Sequence, residues 1–447
     1  MQLKGNIFKA YDIRGVYPRE INEDTAYLIG RAFADFIKAK KIIIGQDMRR
    51  SGAALSQKFA QGVIEQGTEA VLIGEVSTDT LYFAAGKYGY PGAMFTASHN
   101  PAEYNGIKFC KAGAEPISSE TGLNQIQKLV ETEKFLPSKK KGEIVQRDIL
   151  PDYIKHVLSF IDKDKIKPLK IAIDAGNGMA GKIVPLAFEK LPCQIFPLYF
   201  ELDGTFPNHE ANPIDPKNVA DLRTEVLQEK ADIGLAFDGD ADRVFFIDEK
   251  GERISSSLIT AMVADQILAK NPGAKIIYNV PTSKIVPETI KAKGGEPILE
   301  RVGHSFIKGT MKVTNAIFGG EHSGHYYFRD NYRADSGLIA ALIVLEILSQ
   351  ADMTFSEMLE PFSKYNTIEE TNFKVQDKKK ALATLKEKYA DAKISELDGL
   401  TFEYEDYWFN VRASNTEPFI RLNLEANTDE LMKEKTEEIS NILTTSS

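Results

Sequence analysis

The chain has 447 residues, a formal net charge of −9, 43% hydrophobic residues and 27% charged residues. This composition is typical of a globular protein, and its length predicts roughly two to four domains. The negative charge disfavours a general binder of nucleic acid or of membrane surfaces, although a small basic pocket for an anion is compatible with it.

The two cysteines, Cys110 and Cys193, show neither a disulfide framework nor a metal-ligand spacing, which favours a reducing compartment. The first residues contain no apolar signal-peptide core. The longest apolar run, residues 338–345, is too short to span a bilayer. We therefore expect a cytoplasmic protein without a membrane partner.

Strands and helices alternate through the first hundred residues. A strand-like segment is followed by a helix that Asn22 can cap, and strands and helices alternate after it. In chain order these segments are residues 8–15, 22–40, 41–47, 53–66, 70–73, 80–88 and 92–95. Such alternation predicts a parallel α/β sheet, in which ligands bind at the carboxyl ends of the strands.

Ser98 lies in the segment Thr96-Ala97-Ser98-His99-Asn100-Pro101, directly after the strand at residues 92–95. A serine between a strand and a proline-bounded turn exposes its hydroxyl on a rigid edge, and Lys108 is near enough in sequence to fold back onto it. Such a hydroxyl can act as a nucleophile or carry a covalent group when a cation or base activates it. On this segment alone, an ordinary turn of Ser, Asn and Pro is an equal alternative.

The rest of the chain suggests three more domains. Residues 137–147 are polar and predict a surface connection, after which strands at residues 169–174 and 274–279 begin two further α/β units. Both strands resemble the one at residues 41–47, a weak repeat that hints at three related domains. After residue 365, helices and neighbouring strands predict a smaller α+β domain.

Asp238, Asp240 and Asp242 alternate in a tight turn between two apolar strand-like segments. Three such carboxylates repel one another unless a hard cation such as Mg²⁺ or Ca²⁺ lies among them. An EF-hand is disfavoured because Arg243 stands where that loop needs glycine, and the flanking segments are strands. The remaining alternative is a solvated acidic turn. Arg243 is placed to bind a phosphate held by the same cation.

Two further loops carry polar groups suited to a ligand. In residues 319–325, glycines permit close approach of the backbone, and Glu321, Ser323 and His325 can bind hydroxyls or accept a proton. A zinc site there is disfavoured because the ligand spacing is wrong. Residues 412–418 combine an arginine with hydroxyls, as in an anion cradle, although such a pattern alone is more often a hairpin loop. Together the four motifs imply phosphoryl transfer.

The order and content of these motifs resemble the α-D-phosphohexomutases, especially the bacterial phosphomannomutase/phosphoglucomutase group. The matching segments span almost the whole chain: residues 11–15, 96–101, 238–243, 320–325 and 412–418. The resemblance implies three related α/β domains with mixed sheets and a smaller C-terminal α+β domain around a central cleft. The expected domains are residues 1–145 with the serine, 146–250 with the metal-binding loop, 251–365 with the sugar-binding loop and 366–447 with the phosphate-binding loop.

The resemblance also implies a reaction. Phosphorylated Ser98 would exchange its phosphoryl group with a hexose 1- or 6-phosphate through a hexose 1,6-bisphosphate, which also serves as activator. One Mg²⁺ per chain would be bound by Ser98, Asp238, Asp240 and Asp242. The implied partners are small-molecule sugar phosphates, without nucleic acid, and the implied assembly is a monomer or a small homo-oligomer.

Individual roles follow from the same resemblance. Arg14, Lys108 and Arg243 would neutralise charge near Ser98, and Lys108 or His325 would act as general acid/base. The expected substrate-binding residues are Tyr11, His99, Lys284, His304, Glu321, Ser323, Arg412, Ser414, Asn415, Thr416 and Arg421.

One position departs from the family pattern. His322 stands where the mannose/glucose enzymes commonly have Met, which leaves the preferred sugar open among mannose, glucose and glucosamine. Phosphoglucosamine mutase is therefore the alternative within the family. A phosphatase using the same serine and metal, and a non-catalytic protein that binds sugar phosphates, are the alternatives outside it.

Overall fold

The computed structural model describes residues 5–135, 138, 140–368, 370–413 and 419–445. The chain forms two compact units. The first consists of Met1–Ser256, Lys308–Phe318 and Ser323–Met358, and the second of Ser257–Ile307, Gly319–His322 and Leu359–Ser447.

Helices and strands alternate along most of the chain. The helices are α1 Glu23–Ile37, α2 Gly52–Glu65, α3 Thr78–Tyr88, α4 Asn124–Thr132, α5 Leu150–Leu158, α6 Ala180–Phe188, α7 Ala220–Glu229, α8 Ser256–Lys270, α9 Ile285–Ala292, α10 His304–Thr314, α11 Gly337–Gln350, α12 Phe355–Leu359, α13 Lys378–Lys388 and α14 Asp429–Thr445. The strands are β1 Ile13–Val16, β2 Lys41–Gln46, β3 Glu69–Glu75, β4 Gly92–Phe95, β5 Tyr104–Lys111, β6 Glu115–Pro116, β7 Ile144–Gln146, β8 Lys170–Asp174, β9 Gln194–Leu198, β10 Ile233–Phe237, β11 Val244–Ile247, β12 Arg253–Ile254, β13 Lys275–Asn279, β14 Glu296–Glu300, β15 Phe318–Gly320, β16 Tyr326–Phe328, β17 Asn366–Thr367, β18 Thr371–Lys374, β19 Lys393–Ser395, β20 Leu400–Glu403, β21 Tyr407–Ala413 and β22 Phe419–Ala426.

The first sheet has the strand order β1-β5-β4-β2-β3-β7, with β6 beside β5. Strand β2 pairs in parallel with β3 and β4, and its isoleucines are buried because helices cover both faces of such a sheet. Strand β5 is antiparallel to β4, and Met94 pairs with Lys108. The sheet is therefore mixed, and this register brings Lys108 back beside the end of β4.

Helices α1 and α2 pack closely against each other. Asn22 caps α1 as predicted, since its Oδ1 accepts a hydrogen bond from the Thr25 amide at 3.0 Å. A Cβ on Gly30 would lie 2.2 Å from the Phe59 carbonyl oxygen, and one on Gly62 would lie 2.1 Å from that of Tyr27. Each glycine therefore permits the backbone of the other helix to approach.

The second sheet has the order β12-β11-β10-β8-β9. Strands β8, β9 and β10 are parallel, whereas β11 runs antiparallel to β10 with Phe237 opposite Val244. The loop between these two residues carries the three aspartates, and both flanking strands are fully buried. The predicted strand–loop–strand arrangement around the acidic turn is confirmed.

The remaining sheets differ in type. The third has the order β14-β13-β15-β16, in which β13 and β14 are parallel. The fourth has the order β17-β22-β21-β20-β19 with β18 beside β22, and all its pairs are antiparallel. Residues of α13 and α14, including Leu385 and Ile439, belong to its apolar core. The predicted fold class, three α/β domains with mixed sheets and a smaller α+β domain, is confirmed.

Three details differ from the sequence-based expectation. Residues 137–147 are not only a connection, because β7 pairs in parallel with β3 at the sheet edge. The strand has only three residues, Ile144–Gln146, and polar residues precede it, so no alternating pattern marks it in the sequence. The first strand is restricted to β1, with Phe8 forming an isolated bridge to Ile13. Strands β9 and β14 contain Pro197 and Pro297, respectively. Because proline disfavours a strand assignment, these two strands were not predicted from the sequence.

No single helix of the described residues is long and apolar enough to cross a membrane. One bent pair, Gly337–Gln350 with Phe355–Phe362, passes a test of length and composition with a 102° bend. Most residues of α11 in this pair are buried inside the protein.

We expect Gly62→Ala to destabilise the protein by about 1–3 kcal/mol, because the new methyl group would overlap the backbone of α1. Gly309→Ala is the matched control. Gly309 is exposed in α10 with no atom within 4 Å of its virtual Cβ, so alanine should stabilise by about 0.5–1 kcal/mol. Thermal unfolding midpoints of both variants test this, and a Gly62→Ala midpoint at or above wild type would contradict the packing argument.

Candidate active site

Ser98 is held in an unusual backbone conformation after β4. Its φ is 48°, in the left-handed region that residues other than glycine rarely adopt. The Thr96 hydroxyl accepts a hydrogen bond from the Ser98 amide at 2.8 Å, and the Asn100 amide donates to the Ala97 carbonyl at 3.0 Å. Such conformations persist only where the surroundings enforce them, and they concentrate at functional sites.

Arg49 enforces this conformation through main-chain contacts. Its guanidinium donates to the carbonyl oxygens of Ser98 at 2.9 Å, Asn100 at 2.6 Å, Pro101 at 2.8 Å and Tyr104 at 2.9 Å. The side chain is fully buried. The planar Arg49 guanidinium, with its several N–H donors, thus connects the carbonyl oxygens of the serine loop. Sequence analysis assigned no role to Arg49. Its partners are backbone carbonyl oxygens, which every residue type has, so no sequence pattern indicates this interaction.

The three aspartates of the β10–β11 loop form a buried cluster. Asp238, Asp240 and Asp242 are 0%, 0% and 2% exposed, and each offers a carboxylate oxygen within 4.8 Å of those of the others. The Ser98 hydroxyl donates to Asp238 Oδ2 at 2.8 Å. A Cβ on Gly239 would lie 2.5 Å from the Ser98 carbonyl oxygen, so the backbones of the two loops are in close contact.

This cluster fits a metal ion. Asp240 Oδ1 is buried without a hydrogen-bond partner among the described residues, and Asp242 Oδ1 lies 3.5 Å from His325 Nε2. An unsatisfied buried oxygen is costly without a cation. Burial raises the pKa of Asp238 to about 7, against the attraction of Arg243 and with added repulsion from Asp242 and Asp240. Oxygen-only ligands are typical of a hard divalent cation.

Two basic side chains neutralise part of the cluster's charge. Lys108 Nζ lies 2.7 Å from Asp240 Oδ2 and 2.6 Å from Asp242 Oδ2. Burial alone would lower the pKa of Lys108, but the two carboxylates raise it well above its usual value. Arg243 donates from Nε to Asp238 Oδ2 at 2.9 Å. Its Nη2 is buried without a hydrogen-bond partner among the described residues and remains available to an anion.

Arg14 contacts the serine loop and His99 belongs to it, whereas Tyr11 lies just before β1. Arg14, in β1, hydrogen-bonds the Asn100 side chain and lies 2.5 Å from Asp12. Tyr11 precedes β1 and is partly exposed. His99 Nδ1 is 3.1 Å from Ser98 Oγ. Burial holds the pKa of His99 well below its usual value, and Arg243, Arg14 and Lys108 lower it further.

His325 and Ser323 are near the aspartate cluster in the same unit. His325 Nε2 lies 3.5 Å from Asp242 Oδ1 and 3.8 Å from Asp335 Oδ2. Its Nδ1 is 3.0 Å from the Ser323 hydroxyl. Asp335 forms a buried ion pair with Lys308 at 2.6 Å, and sequence analysis assigned no role to either residue.

In the second unit, Glu321 is fixed at the end of the third sheet. Its buried Oε1 accepts hydrogen bonds from Asn279 Nδ2 at 3.0 Å and from the Gly303 amide at 3.2 Å. The same Asn279 has Oδ1 3.4 Å from the His322 amide nitrogen. His304 begins α10 directly after Gly303. Asn279 thus connects the loop of Glu321 to the end of β13.

The predicted phosphate-binding residues of the second unit surround an acidic side chain. Glu370 lies 3.5 Å from Arg412, 3.4 Å from Arg421 and 3.7 Å from the His322 ring. Burial would raise the pKa of Glu370, but these cationic neighbours lower it overall. Three other predicted members of this loop, Ser414, Asn415 and Thr416, lie outside the described residues.

Lys284 precedes α9 in the second unit. Its amide donates to Glu425 Oε1 at 3.0 Å, and its Nζ donates to the Tyr404 carbonyl at 3.1 Å. Glu425 is 1% exposed and also accepts from Trp408 Nε1 at 2.8 Å. The backbone of Lys284 is thereby fixed to the fourth sheet.

Comparison with known proteins places this geometry in a family. Four models described as phosphoglucomutase/phosphomannomutase match in order: alpha/beta/alpha domain I at residues 5–137, domain II at 151–251, domain III at 255–365 and the C-terminal domain at 370–442. The phosphomannomutase of Vibrio cholerae serotype O1 is 39% identical over 98% of both chains. That of Escherichia coli K12 is 38% identical, also over 98% of both chains.

The chain belongs to the phosphoglucomutase/phosphomannomutase family. A crystal structure of a family protein from Burkholderia thailandensis superimposes with a TM-score of 0.90 at 32% identity, covering 98% of this chain and 97% of the other. The parafusin of Paramecium has a TM-score of 0.80 at 18% identity, covering 99% and 96%, and shares the fold.

The geometry of this phosphoglucomutase/phosphomannomutase family member separates the predicted residues into two groups. The first unit brings together Ser98, the three aspartates, Lys108, Arg243, His99, His325, Ser323 and Arg14. The second unit holds Glu321, His304, Lys284, Arg412 and Arg421. The residues that sequence analysis missed, Arg49, Asn279, Lys308 and Asp335, position these groups by contacts to main chain or to distant side chains.

We expect Arg49→Lys to lower turnover, because a lysine ammonium cannot reach the four carbonyl oxygens that the guanidinium binds. A displaced reacting group costs up to about 100-fold in rate, so a loss of roughly 10–100-fold in kcat is expected. The neighbouring, exposed Arg50 provides the control variant Arg50→Lys, which should retain wild-type turnover. Wild-type kcat in Arg49→Lys would show that the serine loop does not depend on this guanidinium.

Proposed function

We propose that the protein is a phosphomannomutase/phosphoglucomutase, which interconverts hexose 1-phosphates and hexose 6-phosphates through phosphorylated Ser98 and a hexose 1,6-bisphosphate. The observation that carries this proposal is the 2.8 Å hydrogen bond from the Ser98 hydroxyl to Asp238, inside a buried acidic cluster opposed by Lys108 and Arg243. Membership of the family supports it.

The metal is proposed to be one Mg²⁺ per chain, with Ser98, Asp238, Asp240 and Asp242 as its ligands. The buried Asp240 Oδ1, which has no hydrogen-bond partner among the described residues, supports this assignment. Mg²⁺, when bound, supplies positive charge to the oxygens of a transferring phosphoryl group. Lys108 and Arg243 add fixed positive charge from the protein itself.

The transfer itself exchanges one P–O bond for another. A hydroxyl of the hexose phosphate attacks the phosphorus of phospho-Ser98, the bond to Ser98 Oγ breaks, and a bond to the sugar oxygen forms. The sugar hydroxyl loses a proton, and we propose Lys108 or His325 as the general acid/base that accepts and returns it; the raised pKa of Lys108 favours His325 as the acceptor. After the bisphosphate turns round, the other phosphoryl group returns to Ser98, so a trace of hexose 1,6-bisphosphate is the expected activator.

We propose substrate-binding roles for residues within each unit. Glu321 and Ser323 are proposed to bind sugar hydroxyls, and Arg412 and Arg421, with Ser414, Asn415 and Thr416, the phosphate that is not transferred. The convergence of two arginines on the Glu370 carboxylate supports an anion-binding role for them. Tyr11, His99, Lys284 and His304 are proposed as further contacts.

The remaining assignments concern domains and surroundings. We propose domains at residues 1–145, 146–250, 251–365 and 366–447. The four sheets follow this order, except that β7 of the first sheet ends at Gln146 and β12 of the second sheet lies at Arg253–Ile254, just past the first two boundaries. The net charge of −9 supports small sugar phosphates as partners rather than nucleic acid. A cytoplasmic monomer or small homo-oligomer without a membrane partner is the proposed state.

The proposal predicts that purified protein, with Mg²⁺ and a trace of glucose 1,6-bisphosphate, converts mannose 1-phosphate and glucose 1-phosphate to their 6-phosphates. Glucosamine 1-phosphate should react more slowly. Separating the products by ion-exchange chromatography ranks the three sugars. Faster turnover of glucosamine 1-phosphate would instead select phosphoglucosamine mutase, and release of phosphate without isomer formation would select a phosphatase.

The phosphoserine step is tested by Ser98→Ala. We expect wild-type protein incubated with glucose 1,6-bisphosphate to gain one phosphoryl group by intact mass, whereas Ser98→Ala should gain none and lose at least about 100-fold in kcat, because the covalent intermediate cannot form. Ser159→Ala, a change at an exposed serine, should behave as wild type. Unchanged turnover by Ser98→Ala would exclude the mechanism.

A further inference from the structure

We propose that Thr78 is a positioning residue for the metal-binding site, and that its hydroxyl orients the Asp240 carboxylate toward the cation. The proposal rests on the metal assignment above. Thr78 is the first residue of α3 and lies 162 positions from Asp240 in the chain. Neither the motifs in the sequence nor the family resemblance pointed to it.

Two hydrogen bonds connect Thr78 to Asp240. The Thr78 hydroxyl donates to Asp240 Oδ2 at 2.6 Å, and its amide donates to the Asp240 carbonyl at 3.1 Å. Both residues are 0% exposed. Thr78 therefore fixes the main chain and the side chain of the same residue, which a threonine that only fills space would not do.

The Thr78 hydroxyl determines which carboxylate oxygen of Asp240 remains available to a cation. Asp240 Oδ2 accepts from Thr78 and also from Lys108 Nζ at 2.7 Å. Asp240 Oδ1 is buried and has no hydrogen-bond partner among the described residues. With Oδ2 held by two donors, the carboxylate cannot rotate freely, and Oδ1 is the oxygen left to the cation.

The first turn of α3 is itself firmly held. The Asp79 carboxylate accepts from the Tyr153 and Ser336 hydroxyls, each at 2.6 Å, and from the Ser77 hydroxyl. Tyr153 belongs to α5, and Ser336 caps α11. Because these donors come from different parts of the unit, the position of Thr78 is set before any ligand binds.

Removing the hydroxyl should weaken metal binding. Groups that hold a metal ligand in place typically contribute about 10–100-fold to metal affinity. In Thr78→Val the methyl groups preserve the shape of the side chain, but Asp240 Oδ2 retains only its Lys108 partner. We therefore expect a 10–100-fold weaker Mg²⁺ affinity, whereas Thr78→Ser, which keeps the hydroxyl, should stay close to wild type.

The chain supplies a matched control in Thr80. It is also 0% exposed in the first turn of α3, and its hydroxyl lies 2.7 Å from that of Ser77 rather than on the aspartate loop. Thr80→Val thus removes a buried hydroxyl bond from the same helix turn without touching Asp240. It should lower the thermal midpoint about as much as Thr78→Val and leave Mg²⁺ affinity near wild type.

The test is a calorimetric titration of MgCl₂ into the full-length, dephosphorylated proteins without substrate, alongside thermal unfolding in EDTA. Weaker binding by Thr78→Val alone, restored in Thr78→Ser, is the expected result. Equal affinities of Thr78→Val and Thr80→Val would overturn the proposal. If Thr78→Val fails to fold, the comparison of Thr78→Ala with Thr78→Ser decides in the same way.

Steady-state kinetics separate this proposal from the proposed function. At saturating Mg²⁺ we expect Thr78→Val to recover most of the wild-type kcat, with an unchanged KM for the sugar phosphate and a raised Mg²⁺ requirement. Wild-type protein that binds no Mg²⁺ would overturn both the metal assignment and the role of Thr78. Wild-type protein that binds Mg²⁺ without mutase activity would refute the proposed function and leave the role of Thr78 standing.

Discussion

Repulsion among three buried carboxylates is the constraint on which the first unit depends. Asp238, Asp240 and Asp242 are almost completely buried with ligand oxygens close together, and such charges are stable only with cations nearby. Lys108 and Arg243 supply two positive charges from the protein. The ladder of β4 and β5 brings Lys108 to this point, and the antiparallel pair β10–β11 folds the aspartates into one turn.

The serine is coupled to this cluster through its backbone as well as its hydroxyl. Ser98 adopts a positive φ, and Arg49 donates a hydrogen bond to its carbonyl oxygen. The same oxygen lies so close to Gly239 that a side chain at position 239 would overlap it. The conformational cost of the positive φ is offset by these contacts. The site of the proposed phosphoserine is thus held by fixed contacts within the protein, and phosphoryl transfer depends on such preorganisation.

Sequence alone could predict the residues whose chemistry is visible in a local pattern. The strand before Ser98, the alternating aspartates and the capped helix at Asn22 are such patterns, and the structure contains each of them. It could not predict Arg49 or Thr78, because their partners are carbonyl oxygens or a carboxylate far away in the chain. Edge strand β7 escaped notice for a related reason: only its pairing with β3 distinguishes it from a loop.

In the second unit the arrangement of charged groups is reversed. Here one carboxylate, Glu370, is surrounded by Arg412, Arg421 and His322, whereas in the first unit cations are surrounded by carboxylates. An internal counter-ion lowers the cost of keeping two guanidinium groups partly buried together. The arginines lie 3.4–3.5 Å from Glu370, and Arg412 Nη1 also lies 3.4 Å from Asp398 Oδ2, so these carboxylates pair with the guanidinium groups at distances longer than the usual hydrogen bond. These two guanidinium groups are the donors to which the proposed function assigns the phosphate that is not transferred, because the planar fork of an arginine matches the geometry of phosphate oxygens.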